Sequence, residues 1–137
     1  MTTAPVRDTK AMLRGMTPSL DAADYVFCTT EDEQLAMLAA PISLGWFRES
    51  EGVSLILAHG DALRLGFDTT LTMRRITLTV FSSLEGVGLT AAVATALANH
   101  NISCNMVAAY HHDHVFVPTA DAEEAMRVLL DLQVAAG

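Results

Sequence analysis

The segment ITLTVFSSLEGVGLTAAVATALANHNISCNMVAAYHHDHVFVP, Ile76 to Pro118, changes its hydrophobic period twice, and each change marks a new kind of element. With Arg75 in front, the stretch to Val80 alternates strictly. Ile76, Leu78 and Val80 point one way and Arg75, Thr77 and Thr79 the other, which is a strand with one buried face. From Leu89 to His100 the period becomes helical, because Leu89, Ala92, Val93, Ala96 and Leu97 recur at i, i+3, i+4, i+7 and i+8. The opposite face of that helix (Ala91, Ala94, Thr95, Ala98) is small and weakly polar, so a second element can pack there. Ile102 to Tyr110 and Val115 to Val117 then read as strands joined by His111-His112-Asp113-His114, with Pro118 closing the second.

Downstream, Asp121-x-x-Glu124 fits a capping box, and Ala122, Ala125, Met126 and Leu129 form the buried stripe of a helix running almost to Gly137. Strand, helix, strand, strand, helix predicts an α+β unit of the split βαβ, ferredoxin-like kind, which lacks its fourth strand. Either the N-terminal half, at Tyr25 to Cys28, or a second protomer supplies it. That half reads as a short helix over Asp8 to Met16, a strand at Tyr25 to Cys28, and an acidic loop or helix start at Glu31-Asp32-Glu33. Paired strands follow at Ile42 to Glu49 and Val53 to Ala58, turning at Ser50-Glu51-Gly52, and then a short helix that Gly66 ends. Both halves mix strands and short helices on one scale, as two related lobes joined near Phe67 to Met73 would.

Composition bounds the function. The 137 residues are 51% hydrophobic and 18% charged, a globular balance. A net charge of −8 repels a phosphate backbone, so nucleic acid is not an expected partner. No apolar run reaches the roughly 18 residues of a membrane span, and the N-terminus lacks an apolar signal core, so a cytoplasmic protein is expected. Cys28 and Cys104 sit in apolar contexts and read as reduced, buried small hydrophobes.

Two motifs invite chemistry. Gly86-x-Gly88-x-x-Ala91 matches the dinucleotide fingerprint in form, but a loop separates it from the preceding strand and no acidic residue follows at ribose distance. A glycine-bearing loop before a helix nevertheless offers free N–H groups and the positive end of a dipole, which suit a carboxylate, or else the glycines merely shape a tight turn. In the histidine stretch, alternation puts His112 and His114 on one face and His111 with Asp113 on the other. Two imidazoles need a third ligand to hold zinc, and Cys104 lies roughly 26 Å away along an extended chain. No HExxH, CxxC or GxSxG pattern occurs, so no catalytic residue, metal site or cofactor is expected.

The pair of motifs, SSLEGVGLTAA followed by CNMVAAYHHDHVFVP, resembles the ACT domain superfamily. It is most similar to small bacterial tandem-ACT proteins of uncharacterised function, which carry an SSLEAVGLTAA-like loop and a CNVVAGYYHDHIFVP-like hairpin. MTPSLDAADYVFCTT and FRESEGVSLIL resemble that family's first lobe. Gly86, Ala109 and His111 stand where alanine, glycine and tyrosine are usual. The resemblance implies tandem ferredoxin-like βαββαβ lobes that exchange strands, a divergent N-terminal lobe at 1–70 and a C-terminal ACT domain at 71–137. It also implies a small effector, an amino acid above all, held by the loop after the first strand, Ser82, Ser83, Leu84, Glu85, Gly86, Val87, Gly88 and Leu89. Asn105 and Val107 on the following strand complete that site. The hairpin is similar to a segment of the tandem ACT units in aspartokinases and arginine sensors, which adds Asp113 and His114. Trp46 is a candidate wall of the pocket, or else a core residue. The expected protein is a non-catalytic homodimeric sensor acting on an enzyme in trans. The alternatives are a metal-dependent enzyme built on His112 and His114, and a structural dimerisation module without a ligand.

Overall fold

The computed structural model describes residues 9–79 and 88–136. In chain order its elements are α1 (Thr9–Gly15), β1 (Thr17–Thr30), α2 (Glu33–Ala39), β2 (Gly45–Glu49), β3 (Gly52–Ala58), α3 (His59–Arg64), β4 (Met73–Thr79), α4 (Leu89–Ala98), β5 (Asn105–Ala108), β6 (Asp113–Pro118) and α5 (Ala122–Ala136). They group into two compact units. Ala22–Met73 is one, and the described residues up to Asp21 with those from Arg74 onward are the other. The class is α+β with ferredoxin-like lobes, and β1 is the exchanged strand, passing from one unit to the other between Asp21 and Ala22.

In the C-terminal unit the strands neighbour one another in the order β1, β4, β6, β5, so the opening residues of β1 fill the missing fourth position beside β4. The strand expected at Tyr25 to Cys28 is thus far longer and begins at Thr17. Its first half did not read as a strand because Asp21 and Asp24 break the apolar alternation. Arginines on β4 hold that polar stretch. Arg74 donates through Nε and Nη2 to the Asp21 carbonyl at 2.9 and 2.7 Å, and Arg75 Nη2 reaches the Asp21 carboxylate at 2.9 Å. One face of this unit's sheet carries the core. Ile76 and Leu78 of β4 and Val115 and Val117 of β6 pack with Leu89, Val93 and Leu97 of α4 and Ala125, Val128 and Leu129 of α5. Met12 and Leu13 of α1, with Met16, close the same cluster.

Helix α4 ends in a Schellman arrangement. Ile102 N–H donates to the Leu97 carbonyl and Asn101 N–H to that of Ala98, with Asn101 at a left-handed φ of 57°. This cap uses Asn101 and Ile102, so β5 begins only at Asn105 and is shorter than the expected Ile102 to Tyr110. The β5–β6 hairpin pairs antiparallel, with Asn105 opposite Phe116 and Val107 opposite His114.

In the other unit the order is β2, β3, β1, both pairs antiparallel. Val26, Cys28, Leu55 and Leu57 form its small core with Ala39 and Ala62 from the covering helices. The acidic run begins a helix: Asp32 Oδ1 accepts from Gln34 N–H at 2.9 Å and Leu35 N–H at 3.3 Å, capping α2. Both cysteines are free, Cys28 buried and Cys104 half-buried. No helix among the described residues is long and apolar enough to cross a membrane.

Candidate functional site

Of the twelve candidate ligand residues, Ser82, Ser83, Leu84, Glu85, Gly86 and Val87 lie outside the described residues. Gly88, Leu89, Asn105, Val107, Asp113 and His114 are described, and the pleat of the hairpin sorts them. Asn105, Val107, His114 and Phe116 share one face, while Asp113 points with Val115 to the side that the helices cover.

On the helix side, α4 begins after Gly88, whose φ of 100° is left-handed. Its N-cap, Gly88, has no side chain with which to cap the first turn. A Cβ at residue 88 would collide with Thr9 Oγ1, so α1 packs closely against this glycine. Burial raises the Asp113 carboxyl pKa, opposed by the nearby His114 and His112 imidazoles. Burial therefore favours the neutral acid, and an incoming cation would draw the proton off again.

On the other face, Thr77 Oγ1 lies 3.1 Å from His114 Nδ1, which ties β4 to the start of β6. The His112 and His114 rings meet edge-on with centroids 6.4 Å apart, and His112 Nδ1 is buried without a hydrogen-bond partner. Asn105 Nδ2 donates to the Phe116 carbonyl at 3.3 Å. Among the described residues no three His, Cys, Asp or Glu side chains lie together so as to hold a metal ion.

His114 is held below the usual imidazole range by burial first, then by Arg75 and His112, with Asp113 opposing. A depressed histidine pKa means the unfolded chain binds the proton more tightly. Stability from this group is therefore complete above the unfolded value of about 6.5, and is lost as pH falls below it and through the folded value. Asp113 has the opposite sign and gains stability as pH falls through its raised value. The expected result is a loss of stability between pH 7 and the histidine range that His114→Gln flattens, read by urea unfolding at a series of pH values. Equal slopes in both proteins would remove His114 as the cause.

A separate cavity of about 600 Å³ opens in the Ala22–Met73 unit, between the end of β1, the start of α2 and the β2–β3 turn. Trp46 and Arg48 lie opposite Leu55 and Val53, so they face the same side as α2. That helix is only seven residues long and offers alanines there, Ala36 and Ala39, leaving the edge strand half covered. Trp46 therefore keeps 50% of its surface exposed and walls this cavity, unlike a core tryptophan. Sequence reading missed the cavity because its cause is a short helix over an edge strand, and no motif records that. The available signal was the lone tryptophan two residues from an arginine, beside an acidic run.

The chain matches ACT domain descriptions at residues 4–74 and again at 71–131. No curated protein shows significant sequence similarity to it. Among solved structures it is similar to a Vibrio cholerae protein of unknown function, described as a possible transport protein. The two are 41% identical with a TM-score of 0.80, over 90% of this chain and 94% of that one. The regulatory subunit of aspartate kinase from Thermus thermophilus, in ligand-free form, shares the fold at 10% identity and a TM-score of 0.59, covering 86% of this chain and 98% of that one. The alpha and beta subunits of an aspartokinase do so at 16% and 0.60, covering 84% and 95%. Two family matches in tandem, carried on two units that share a strand, establish that the chain belongs to the ACT domain family of regulatory, ligand-binding modules.

Proposed function

We propose that this protein is a non-catalytic sensor that binds a free amino acid at the start of α4 and passes that occupancy through a homodimer interface to an enzyme in trans. The observation that carries the reading is the left-handed Gly88 that opens a ten-residue helix and has no side chain to cap it. Unpaired N–H groups at such a helix start suit an α-carboxylate. Asp113, on the helix-covered side of the sheet, is the acceptor for the α-ammonium group, with Glu85 as a second. Ser82 to Leu89 are the ligand-contacting residues that precede and open α4 in this reading. Asn105 donates one Nδ2 hydrogen to the Phe116 carbonyl, and its second N–H and its Oδ1 are the groups it offers a ligand in this reading. Val107 and His114 lie on the opposite face of the hairpin, which is the face available to a neighbouring copy. The ACT matches at 4–74 and 71–131 support repeats at 1–70 and 71–137. Two free thiols suit the cytoplasm.

A thermal-shift screen against the proteinogenic amino acids tests this. A true effector at a hundredfold excess over its Kd stabilises the protein by about 2.7 kcal/mol. Asp113→Asn is expected to abolish most of that gain while leaving the unliganded melting point within a few degrees. A flat response to every amino acid would move the reading to a structural dimerisation module.

A further inference from the structure

We infer that the sheet face of the Ala22–Met73 unit turned away from α2 and α3 is a docking surface for a partner protein, and that its occupant is one amphipathic helix with lysine or arginine along its flanks. In placing that helix on the enzyme acted on in trans, the inference rests on the proposed function and adds to it the surface and the partner's chemistry. Nine of the thirteen large apolar side chains that stand exposed among the described residues belong to this unit, which holds fewer than half of those residues. Soluble proteins gather exposed apolar groups in this way mainly at interaction sites.

The strand register shows which of them share a face. Val26, Cys28, Leu55 and Leu57 pack toward the covering helices, so Phe27 on β1, Ile56 on β3 and Phe47 on β2 face the other way. Phe27 lies opposite Ile56, and Phe47 lies opposite Ser54, one diagonal step from Ile56. Phe27 is 45% exposed and Phe47 73%, while Gly45 and Ser54 keep the ground between them low. The outer strands of a three-stranded sheet stand about 10 Å apart, the diameter of one α-helix. A single helix therefore covers the face, repeating the layer that α2 and α3 make on the other side. Charge selects the helix. The unit carries eight carboxylates against Arg48 and Arg64, which is six of the chain's eight net negative charges. Glu49 continues the face beyond Phe47 and accepts from Ser54 Oγ on it, with Glu51 in the adjoining turn. A second copy would set six negative charges against six, which repulsion opposes, whereas basic flanks are drawn in.

The test is fluorescence anisotropy of labelled peptides of equal length titrated with the full chain. One is a leucine–lysine helix with its leucines in a single stripe, one the same composition scrambled to scatter the stripe, and one the striped leucine–glutamate counterpart. The striped leucine–lysine peptide is expected to bind saturably, with a Kd about tenfold below that of the scrambled one, and the leucine–glutamate peptide not to bind. Phe47→Thr keeps a strand-favouring residue at an exposed position and is expected to raise that Kd about tenfold, with the melting point within a few degrees. Glu49→Gln with Glu51→Gln is expected to raise it about threefold and to flatten its dependence on salt. Leu130→Ala, at an equally exposed apolar residue of the other unit, is expected to leave it unchanged. Equal binding of the striped and scrambled peptides would reduce the face to a diffuse acidic surface, and an equal loss in Leu130→Ala would put the contact elsewhere. Dissociation of a homodimer by Phe47→Thr in sedimentation velocity would make the face a self-interface. Any of these, or no binding by the striped peptide, overturns the inference. These variants leave α4 and Asp113 untouched. A flat amino-acid screen with peptide binding intact would remove the sensor and keep the docking face, and the reverse pattern would keep the sensor and remove the face.

Discussion

Leu97→Ala is expected to destabilise the protein by about 2–5 kcal/mol. Leu97 is fully buried on α4, in the cluster that joins that helix to β4, β6, α1 and α5. Truncation leaves a cavity that elements fixed on several sides cannot close, so the lost transfer free energy and the cavity cost add. The Leu97 carbonyl also accepts the Schellman bond from Ile102, whose buried side chain packs in the same cluster. Loss of the leucine therefore loosens the helix end that sets where β5 begins. The melting midpoint is expected to fall by roughly 10 °C. Val134→Ala on α5 is the control, since Val134 is 78% exposed, and it is expected to stay within about 0.5 kcal/mol. Urea unfolding followed by circular dichroism measures both. Equal losses in the two variants would show that the cluster does not carry the stability assigned to it.

Gly52→Ala is expected to cost about 2–4 kcal/mol, a large loss for the addition of one methyl group. Gly52 has a φ of 145°, and a Cβ built on it would stand 2.6 Å from the Thr30 carbonyl oxygen. The obstacle is backbone, held in the β1–β3 ladder where Thr30 pairs with Val53, so it cannot swing aside as a side chain does. The hairpin must either tilt away from β1 or give up pairs at its open end. Both routes disturb the cavity, which Gly52, Thr30 and Val53 all line. Gly45→Ala is the matched control, for nothing lies within 4 Å of its added Cβ and its φ is not positive. Thermal unfolding of the two variants separates strain at residue 52 from a general intolerance of alanine in β2 and β3. Identical midpoints for both would refute the collision.

The elements that were legible in the sequence are those whose core contacts repeat at a regular interval. Ile76 and Leu78 alternate, Leu89, Val93 and Leu97 step by four, and all five are buried where those periods put them. The first half of β1 was not legible because its pairing is secured by Arg74 and Arg75, more than fifty residues downstream, and not by its own apolar alternation. Helix α2 hid behind the acidic run that caps it, its seven residues being too short to display a period. The candidate site was readable in its parts and less so in its assembly. Alternation in the sequence already set His114 and Asp113 on opposite faces, but only the hairpin register shows what each stands beside, Val107 opposite His114 and Ala108 opposite Asp113. The Trp46 cavity was visible only as a juxtaposition of residue types, because its volume depends on how much of an edge strand a short helix covers.

The single strand β1, shared between Asp21 and Ala22, has an evolutionary corollary. A self-contained repeat can be copied, lost or grafted onto another gene by cutting in a linker. Here any cut that frees one lobe takes part of its sheet away from the other. Recombination can move these two lobes only together, so the pair, and not the lobe, is the heritable unit.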